Sequence, residues 1–91
     1  MNLEWDESKR LSNIKKHKLD FVGVEEVFDG YTVSIEDRCV SYGEQRFITF
    51  GVLATYVVVI VHTEKDNNIR VISIRKATKN EERNYYAAIK N

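Results

Sequence analysis

The segment YVVVIVHT, residues 56–63, constrains the fold of this chain more than any other stretch of its sequence. Its apolar residues follow one another without alternation from Val57 to Val61, so both faces of a strand formed here are apolar. Such runs are typical of central strands that are covered on both sides. The sequence therefore predicts a sheet in which residues 56–63 form an inner strand.

Four other segments predict the remaining strands. TVSIED at 32–37 alternates apolar and polar residues, as a half-buried strand does, and EQRFITFGV at 44–52 is rich in β-forming residues. After a turn at KDNN, residues 65–68, the segment IRVISIR at 69–75 predicts the last strand. LEW at 3–5 predicts a short edge strand. Four successive strands therefore follow one short N-terminal strand.

Three helices are predicted from their capping signals. Asp6 is expected to cap a helix that runs to about His17. Asp20 is expected to cap a second, short helix that ends at Asp29–Gly30. The T-x-x-E pattern that begins at Thr78 is a capping box for a C-terminal helix. The resulting order predicts an α+β domain with a four-stranded, mostly antiparallel sheet between N-terminal and C-terminal helices.

Length and composition fit one small cytosolic domain. A chain of 91 residues is expected to form a single domain over 1–91 with a modest core. Its single cysteine allows no intrachain disulfide, and MNLEWDESKR at the amino terminus lacks the apolar run of a secretory signal. We therefore expect a reduced, cytoplasmic protein.

The net charge of zero conceals an uneven distribution along the chain. Residues 1–18 carry a net charge of +2, residues 19–69 carry −6 and residues 70–91 carry +4. A basic end and an acidic middle indicate two different partners, one anionic and one cationic. The alternative is that these charges are simply solvated on the surface of a small domain.

Cations and tyrosines are concentrated near the carboxyl terminus. Arg75 and Lys76 end the last predicted strand, and the following helix carries Arg83, Tyr85 and Tyr86. A guanidinium donates two parallel hydrogen bonds to phosphate oxygens, and a phenol ring stacks on a base. These residues together are therefore a candidate RNA contact. The alternative is that these cations have no binding role: their aliphatic stems pack around the core while their charged ends stay in water.

Alternation along the last strand divides its cations between the two faces of the sheet. Side chains two residues apart share a face, so Arg70 and Lys76 are expected on one face and Arg75 on the other.

A few other residues are candidates for acid–base chemistry. Glu44 and Arg46 are expected on one face of a strand, either as a surface ion pair worth at most about 1 kcal/mol or as a catalytic pair. His17 and His62 are candidates for proton transfer, although a structural role at a helix end for His17 and at a strand end for His62 is the favoured explanation. Nothing in the pattern of histidines and acids supports metal ligation.

Three segments together resemble the BrnT family of bacterial type II toxins. They are EWDESKRLSNIKKHKLDF, YGEQRF and IRVISIRKATKNEERNYY, and the resemblance runs along nearly the whole chain. It implies a RelE-like fold and a ribonuclease that cleaves RNA without a metal or other cofactor, through attack of the 2′-hydroxyl, and so arrests translation and growth. It also implies a BrnA-type antitoxin with a ribbon-helix-helix domain, which covers the toxin, binds operator DNA and represses the shared operon.

The resemblance marks the matching positions, which are Lys9, His17, Glu44, Arg46, His62, Glu64, Arg70, Arg75 and Tyr86. The residue pattern near the carboxyl terminus adds Lys76, Arg83 and Tyr85, and we divide all of them into two sets. The residues assigned to catalysis are Glu44, Arg46, His62, Glu64, Arg75 and Tyr86. The residues assigned to RNA binding are Lys9, His17, Arg70, Lys76, Arg83 and Tyr85. Within these sets we expect two arginines, Arg46 and Arg75, to clamp phosphate with help from Lys76. Glu64 or His62 is expected to accept a proton. Tyr86 is expected either to stack on a base or to act as a donor group.

The chain departs from the family pattern at a few positions. Lys18 stands where a glycine is usual, so the turn after the first helix is expected to differ. Ile74 and Lys76 also replace the alanine and arginine that are frequent there, and lysine lacks the bidentate fork. An alternative function is therefore a catalytically inactive module that binds a partner and acts as a regulatory subunit. Direct DNA binding has little support, because no helix-turn-helix or zinc-finger pattern is present.

Overall fold

The structure, a computed structural model, describes residues 2–37 and 44–90. Its elements are β1 (Asn2–Trp5), α1 (Glu7–His17), α2 (Glu25–Asp29), β2 (Val33–Asp37), β3 (Arg46–Leu53), β4 (Tyr56–Lys65), β5 (Asn68–Lys76) and α3 (Lys79–Lys90). Cys39 and the first two residues of the YGEQRF motif lie outside the described residues. Among the described helices, none has the length and apolar character needed to cross a membrane.

The five strands form one sheet in the order β1-β5-β4-β3-β2. The prediction for residues 56–63 is confirmed, because β4 lies at the centre and Val57 to Ile60 are buried. The predicted count of four strands is wrong, since the short N-terminal strand joins the same sheet. β1 pairs in parallel with β5, placing Leu3 beside Ile69, whereas the other neighbours are antiparallel.

A β-bulge in β5 changes which residues share a face of the sheet. Val61 lies opposite Ser73 and His62 lies opposite Val71, so Ile72 is an extra residue in β5. An extra residue shifts the alternation of side chains by one position.

The predicted division of cations in β5 is therefore wrong. Arg70 lies on the same face as Arg75, because the bulge separates them, while Lys76 lies on the opposite face. We call the surface that carries Arg46, Arg70 and Arg75 the arginine face.

The opposite side of the sheet, the core face, packs against α2 and the loop before it. Val58, Ile60, Val71 and Ile74 form one cluster there with Phe21, Val24 and Val27. Gly51 makes the close approach of α2 possible, because a Cβ atom at this position falls 2.5 Å from Cγ1 of Val27. The core face is therefore filled by helix and loop side chains.

Helix α3 covers only part of the arginine face. Tyr85 is its buried residue, and the Tyr85 hydroxyl donates a hydrogen bond of 2.7 Å to the backbone carbonyl of Tyr31. Val57 and Val59, on the same side of the sheet, are 2% exposed. Ile35 is 51% exposed, so the part of this face nearer to Arg46 stays open.

Helix α1 is fixed at both ends by local signals. The Asp6 carboxylate accepts hydrogen bonds from the backbone N–H groups of Ser8 and Lys9, which confirms the predicted cap. At the other end Lys18 adopts φ 62°, in the left-handed region, and its N–H bonds to the carbonyl of Ile14. The helix therefore ends in a conformation that favours glycine.

We expect Lys18→Gly to stabilise the protein by about 0.5–1 kcal/mol. A lysine in the left-handed region carries a steric cost, which exceeds the extra chain entropy that glycine gives the unfolded state. In a domain of this size such a gain raises Tm by roughly 4–8 °C per kcal/mol, which calorimetry resolves.

The matched control is Lys15→Gly, one turn earlier in the same helix. Glycine in a helix interior lowers stability by about 1 kcal/mol, so this variant is expected to move Tm in the opposite direction. A Lys18→Gly variant that melts at or below the wild-type temperature contradicts the argument.

Candidate active site

Charged side chains form a row across the arginine face. Asp37 in β2 pairs with Arg46 in β3, and Thr63 in β4 pairs with Arg70 in β5. The register between β3 and β4 places Arg46 level with Thr63, and β1 places Glu4 beside Arg70. The two arginines therefore flank a threonine hydroxyl, with their Cα atoms about 10 Å apart, since neighbouring strands are about 4.8 Å apart.

Arg46 is held in place by its surroundings. Its side chain is only 18% exposed, and its Nη2 atom lies 3.7 Å from Oε1 of Glu44. The predicted pair of Glu44 and Arg46 is therefore present, although Glu44 lies in the segment before β3 rather than in the strand. Its carboxylate is exposed, and the Arg46 side chain is largely enclosed. This arrangement puts a proton acceptor next to a fixed positive charge.

Arg75 is anchored to the first turn of α3. Its two terminal nitrogens donate to the two carboxylate oxygens of Glu81, at 2.8 and 2.9 Å. Glu81 also accepts from the backbone N–H of Thr78, and Thr78 Oγ1 accepts from the N–H of Glu81, so the predicted capping box is confirmed. The hydrogen bonds from Arg75 lower the pKa of Glu81 to about 2, and the same contact raises the pKa of Arg75.

The position of Arg75 separates it from the row that contains Arg46. Arg75 pairs with Val59, which pairs with Phe50, so it lies four residues along the strands and two strands across from Arg46. The Cα atoms of the two arginines are therefore roughly 16 Å apart. Arg46 and Arg70 can converge on one phosphate group, whereas Arg75 is placed for a different one.

His62 lies on the core face, away from the arginines. It is 1% exposed, and its Nε2 atom is 2.6 Å from Oγ1 of Thr49, which is 2.7 Å from Oγ of Ser34. The ring packs edge-on against Phe28, stacks on Phe47 and lies 4.0 Å from Glu64. Burial lowers the pKa of His62, and the negative charge of Glu64 opposes this only in part. The geometry does not bring His62 or Glu64 to the arginine face.

We expect the stability of the protein to fall by about 1 kcal/mol between pH 7.5 and 5.5 because of His62. Its folded pKa lies below the unfolded value of 6.5, so the unfolded state binds a proton first as the pH falls. This loss starts near pH 6.5 and approaches 1.4 kcal/mol per pH unit until the folded imidazole also protonates. Urea unfolding at each pH measures the effect.

Two variants separate the histidines. His62→Gln is expected to flatten the decline between pH 7.5 and 5.5, whereas His17→Gln is expected to retain it. The low pKa of Glu81 acts in a separate window, because its contribution is lost as the pH falls from its unfolded value of 4.5 towards about 2. Persistence of the full decline in His62→Gln contradicts the assignment.

Two of the residues that were predicted to bind RNA are committed to other contacts. The ammonium of Lys76 lies 4.0 Å from the centre of the Tyr56 ring, on the core-face side of the strand end. Tyr85 is 3% exposed and its hydroxyl is bonded to Tyr31, so its ring is a packing element of α3. A buried ring does not offer a face to a base.

Arg83 and Tyr86 lie together on the outer surface of α3. They line a shallow depression with Glu82, Ala87 and Lys90, which confirms that residues three apart share a helix face. Tyr86 is 43% exposed and so offers a stacking surface, but all residues around this depression belong to α3 itself. This surface is separate from the row of arginines.

Lys9 and His17 lie on α1, where they line a cleft against β5. The cleft also contains Lys16 and Ser73, and Ser73 shares the arginine face with Arg70 and Arg75. Sequence reasoning missed Thr63, Ser73 and Lys16. The first two have no distinctive pattern, and the bulge at Ile72 is what places Ser73 on the same face as Arg70.

Within residues 2–37 and 44–90, no three His, Cys, Asp or Glu side chains come together as a metal site.

The fold and the site define a class of protein: a small α+β domain that presents fixed arginines, a carboxylate and a hydroxyl on an open sheet face. The chain belongs to the family described as "Ribonuclease toxin, BrnT, of type II toxin-antitoxin system", whose model matches residues 5–81. This confirms the resemblance. Membership assigns the chain to the ribonuclease toxins of type II toxin–antitoxin systems and implies an antitoxin partner. No curated protein matches the chain.

Proposed function

We propose that this protein is a metal-independent endoribonuclease toxin that cleaves single-stranded RNA on its arginine face and so arrests translation and growth. The observation that carries the proposal is the row of Arg46, Thr63 and Arg70, which strand pairing brings together on one open surface. Two arginines whose Cα atoms are about 10 Å apart suit a phosphodiester between them, because a guanidinium donates two parallel hydrogen bonds to phosphate oxygens.

The chemistry needs only positioning, proton transfer and charge stabilisation. The RNA 2′-oxygen attacks the adjacent phosphorus, and its proton passes to the carboxylate of Glu44. The bond from phosphorus to the 5′-oxygen then breaks, and that oxygen takes a proton from water. The products are a 2′,3′-cyclic phosphate end and a free 5′-hydroxyl end. Arg46 and Arg70 stabilise the charge that develops on the phosphorane oxygens.

The roles of the remaining residues follow from their positions. Arg75, at roughly 16 Å from Arg46, contacts a neighbouring phosphate rather than the scissile one. Tyr86 and Arg83 contact RNA farther along the strand, on the exposed surface of α3. His62 and Tyr85 support the sheet and α3 from inside.

We further propose that the fold is of the RelE-like type and that the protein acts in the cytoplasm. Its partner is a BrnA-type antitoxin with a ribbon-helix-helix domain, which covers the arginine face and carries the complex to operator DNA. Family membership supports an antitoxin, and an open surface that carries arginines beside carboxylates supports burial of that surface in the neutralised complex.

One observation favours a second candidate function, a non-catalytic regulatory subunit. Two of the arginines already face carboxylates, Arg75 at Glu81 and Arg46 at Glu44, which reduces the positive charge that they offer to RNA. Such a module binds its partner tightly and leaves RNA intact.

The test is incubation of the purified chain with single-stranded RNA in the presence of EDTA. We expect cleavage products with 2′,3′-cyclic phosphate and 5′-hydroxyl ends, and arrested growth on induced expression without the antitoxin. Intact RNA together with normal growth contradicts the proposal and supports the regulatory subunit. Cleavage that EDTA abolishes contradicts the metal-independent chemistry.

A further inference from the structure

A cleft of about 410 Å³ lies between α1 and β5, beside the bulge. None of the eight residues that line it is acidic. The Ser8 hydroxyl already donates to the carboxylate of Asp6 at 2.6 Å, and the Asn13 amide donates to backbone carbonyls. Five lining residues supply hydrogen-bond donors or positive charge for an anion: Lys9, Ser12, Lys16, His17 and Ser73.

The sequence of α1 builds one wall of this cleft. Ser8, Ser12 and Lys16 are spaced four residues apart, so they lie in a row along one side of the helix, and Lys9 lies beside them. The Asp6 cap determines where the helix begins and therefore which residues fall on this side.

Asn13 fixes the helix against the strand. Its side-chain amide donates to the carbonyl of Ile74 at 2.9 Å, and its oxygen accepts from the N–H of Ile74 at 3.1 Å. The row of serines and lysines is therefore held at a fixed position relative to β5. The other wall is formed by Ile72, the residue that the bulge adds, and by Ser73.

The cleft adjoins the arginine face through Ser73. This residue lies between Arg70 and Arg75 along β5, and all three side chains are on the same side of the sheet. A strand of RNA that passes over Arg70 towards Arg75 therefore runs beside the opening of the cleft.

We propose that this cleft is a second phosphate subsite, which binds a backbone phosphate of the same RNA strand next to the one that is cleaved. The inference rests on the proposed function and deepens it, because it names where the flanking strand lies. Ammonium groups attract phosphate as point charges, and serine hydroxyls complete its hydrogen bonding. Contacts remote from the reacting phosphate bind ground state and transition state equally, so the subsite lowers KM and leaves kcat unchanged.

The test uses the double variant Lys9→Gln/Lys16→Gln and an RNA of 12 nucleotides with 2′-O-methyl groups, which lacks the nucleophilic hydroxyl. We expect fluorescence anisotropy to give about tenfold weaker binding. The slope of log K against log salt is expected to decrease by about 0.7, because the cleft holds one phosphate and each phosphate contact with single-stranded RNA contributes about 0.7. Binding of a 2′-O-methyl dinucleotide, which spans one phosphate, is expected to be unchanged.

The matched control is Lys15→Gln/Lys18→Gln, which removes the same charge at the end of α1, at positions that line neither the cleft nor the arginine face. An equal loss of affinity in this control means that net charge alone is responsible and overturns the subsite. A kcat that falls with KM unchanged, measured on cleavable RNA, also overturns it.

Two further arms identify the ligand and separate this inference from the proposed function. We expect inorganic phosphate to shift the amide NMR signals of Ser8, Ser12 and Ser73, and the 12-nucleotide RNA to displace it. Phosphate binding that RNA does not displace assigns the cleft to a free anion and contradicts the inference. If the chain binds RNA through the cleft but never cleaves it, the subsite stands and the nuclease proposal fails.

Discussion

Arg46→Ala is expected to cleave RNA about 10²–10³-fold more slowly than the wild type under single-turnover conditions. A fixed donor that stabilises charge in the transition state contributes this much in enclosed sites, and the Arg46 side chain is only 18% exposed. The loss is expected mainly in kcat, because the charge on the phosphorane oxygens develops during the reaction. Arg46→Lys is expected to recover part of the rate, since lysine keeps the positive charge but cannot donate two parallel hydrogen bonds to phosphate.

Lys76→Ala provides the control for this experiment. Strict alternation groups Lys76 with Arg70, whereas the bulge places these two residues on opposite faces and Lys76 lies over Tyr56. We therefore expect Lys76→Ala to cleave at the wild-type rate. Equal losses in Arg46→Ala and Lys76→Ala mean that overall charge determines the rate, and the assignment of the active site to the arginine face is then wrong.

Most of the fold follows from the sequence because its signals are local. The run from Val57 to Val61 predicted the central strand, and the capping residues Asp6 and Thr78 predicted where helices begin. The parallel partner of the first strand was not predicted, since pairing of Leu3 with Ile69 is a contact between opposite ends of the chain. Local patterns contain no information on such a pairing.

The site was predicted less well than the fold because a single bulge reassigns its faces. Strict alternation separated Arg70 from Arg75, and no residue in IRVISIR marks Ile72 as the extra one. Similarly, the pattern did not distinguish Tyr85 from Tyr86, although the first is 3% exposed and the second 43%. Their roles depend on how α3 is rotated against the sheet, which is a property of tertiary packing.

The interaction on which the cleft depends also gives the largest expected loss of stability. Asn13 is 5% exposed and makes three hydrogen bonds with backbone groups: its amide donates to the carbonyls of Leu19 and Ile74, and its oxygen accepts from the N–H of Ile74. The pairing of β1 with β5 ends at Val71. Beyond this point, at Ile74, the Asn13 side chain takes the place of a neighbouring strand. A small polar side chain therefore joins a helix to the sheet.

Asn13→Ala is expected to destabilise the protein by about 3 kcal/mol. Each buried backbone group left without a partner costs about 1–3 kcal/mol, and the substitution removes the bonds to three of them. In a domain of this size the change lowers Tm by roughly 15 °C, which calorimetry and urea unfolding measure independently.

The matched control for this substitution is Asn84→Ala, an exposed asparagine in α3, which is expected to stay within about 0.5 kcal/mol of the wild type. Asn13→Asp separates the donors from the acceptor, because it keeps the oxygen that accepts from Ile74 and loses both donated bonds. At pH 7 it also places a negative charge against two carbonyl oxygens, so its loss is expected to match or exceed that of alanine. At pH 4 a protonated carboxyl donates one bond, and part of the stability is expected to return. If instead Asn13→Ala costs less than about 1 kcal/mol, backbone contacts alone hold α1 against β5, and the helix does not need this side chain to keep its lysines beside the arginine face.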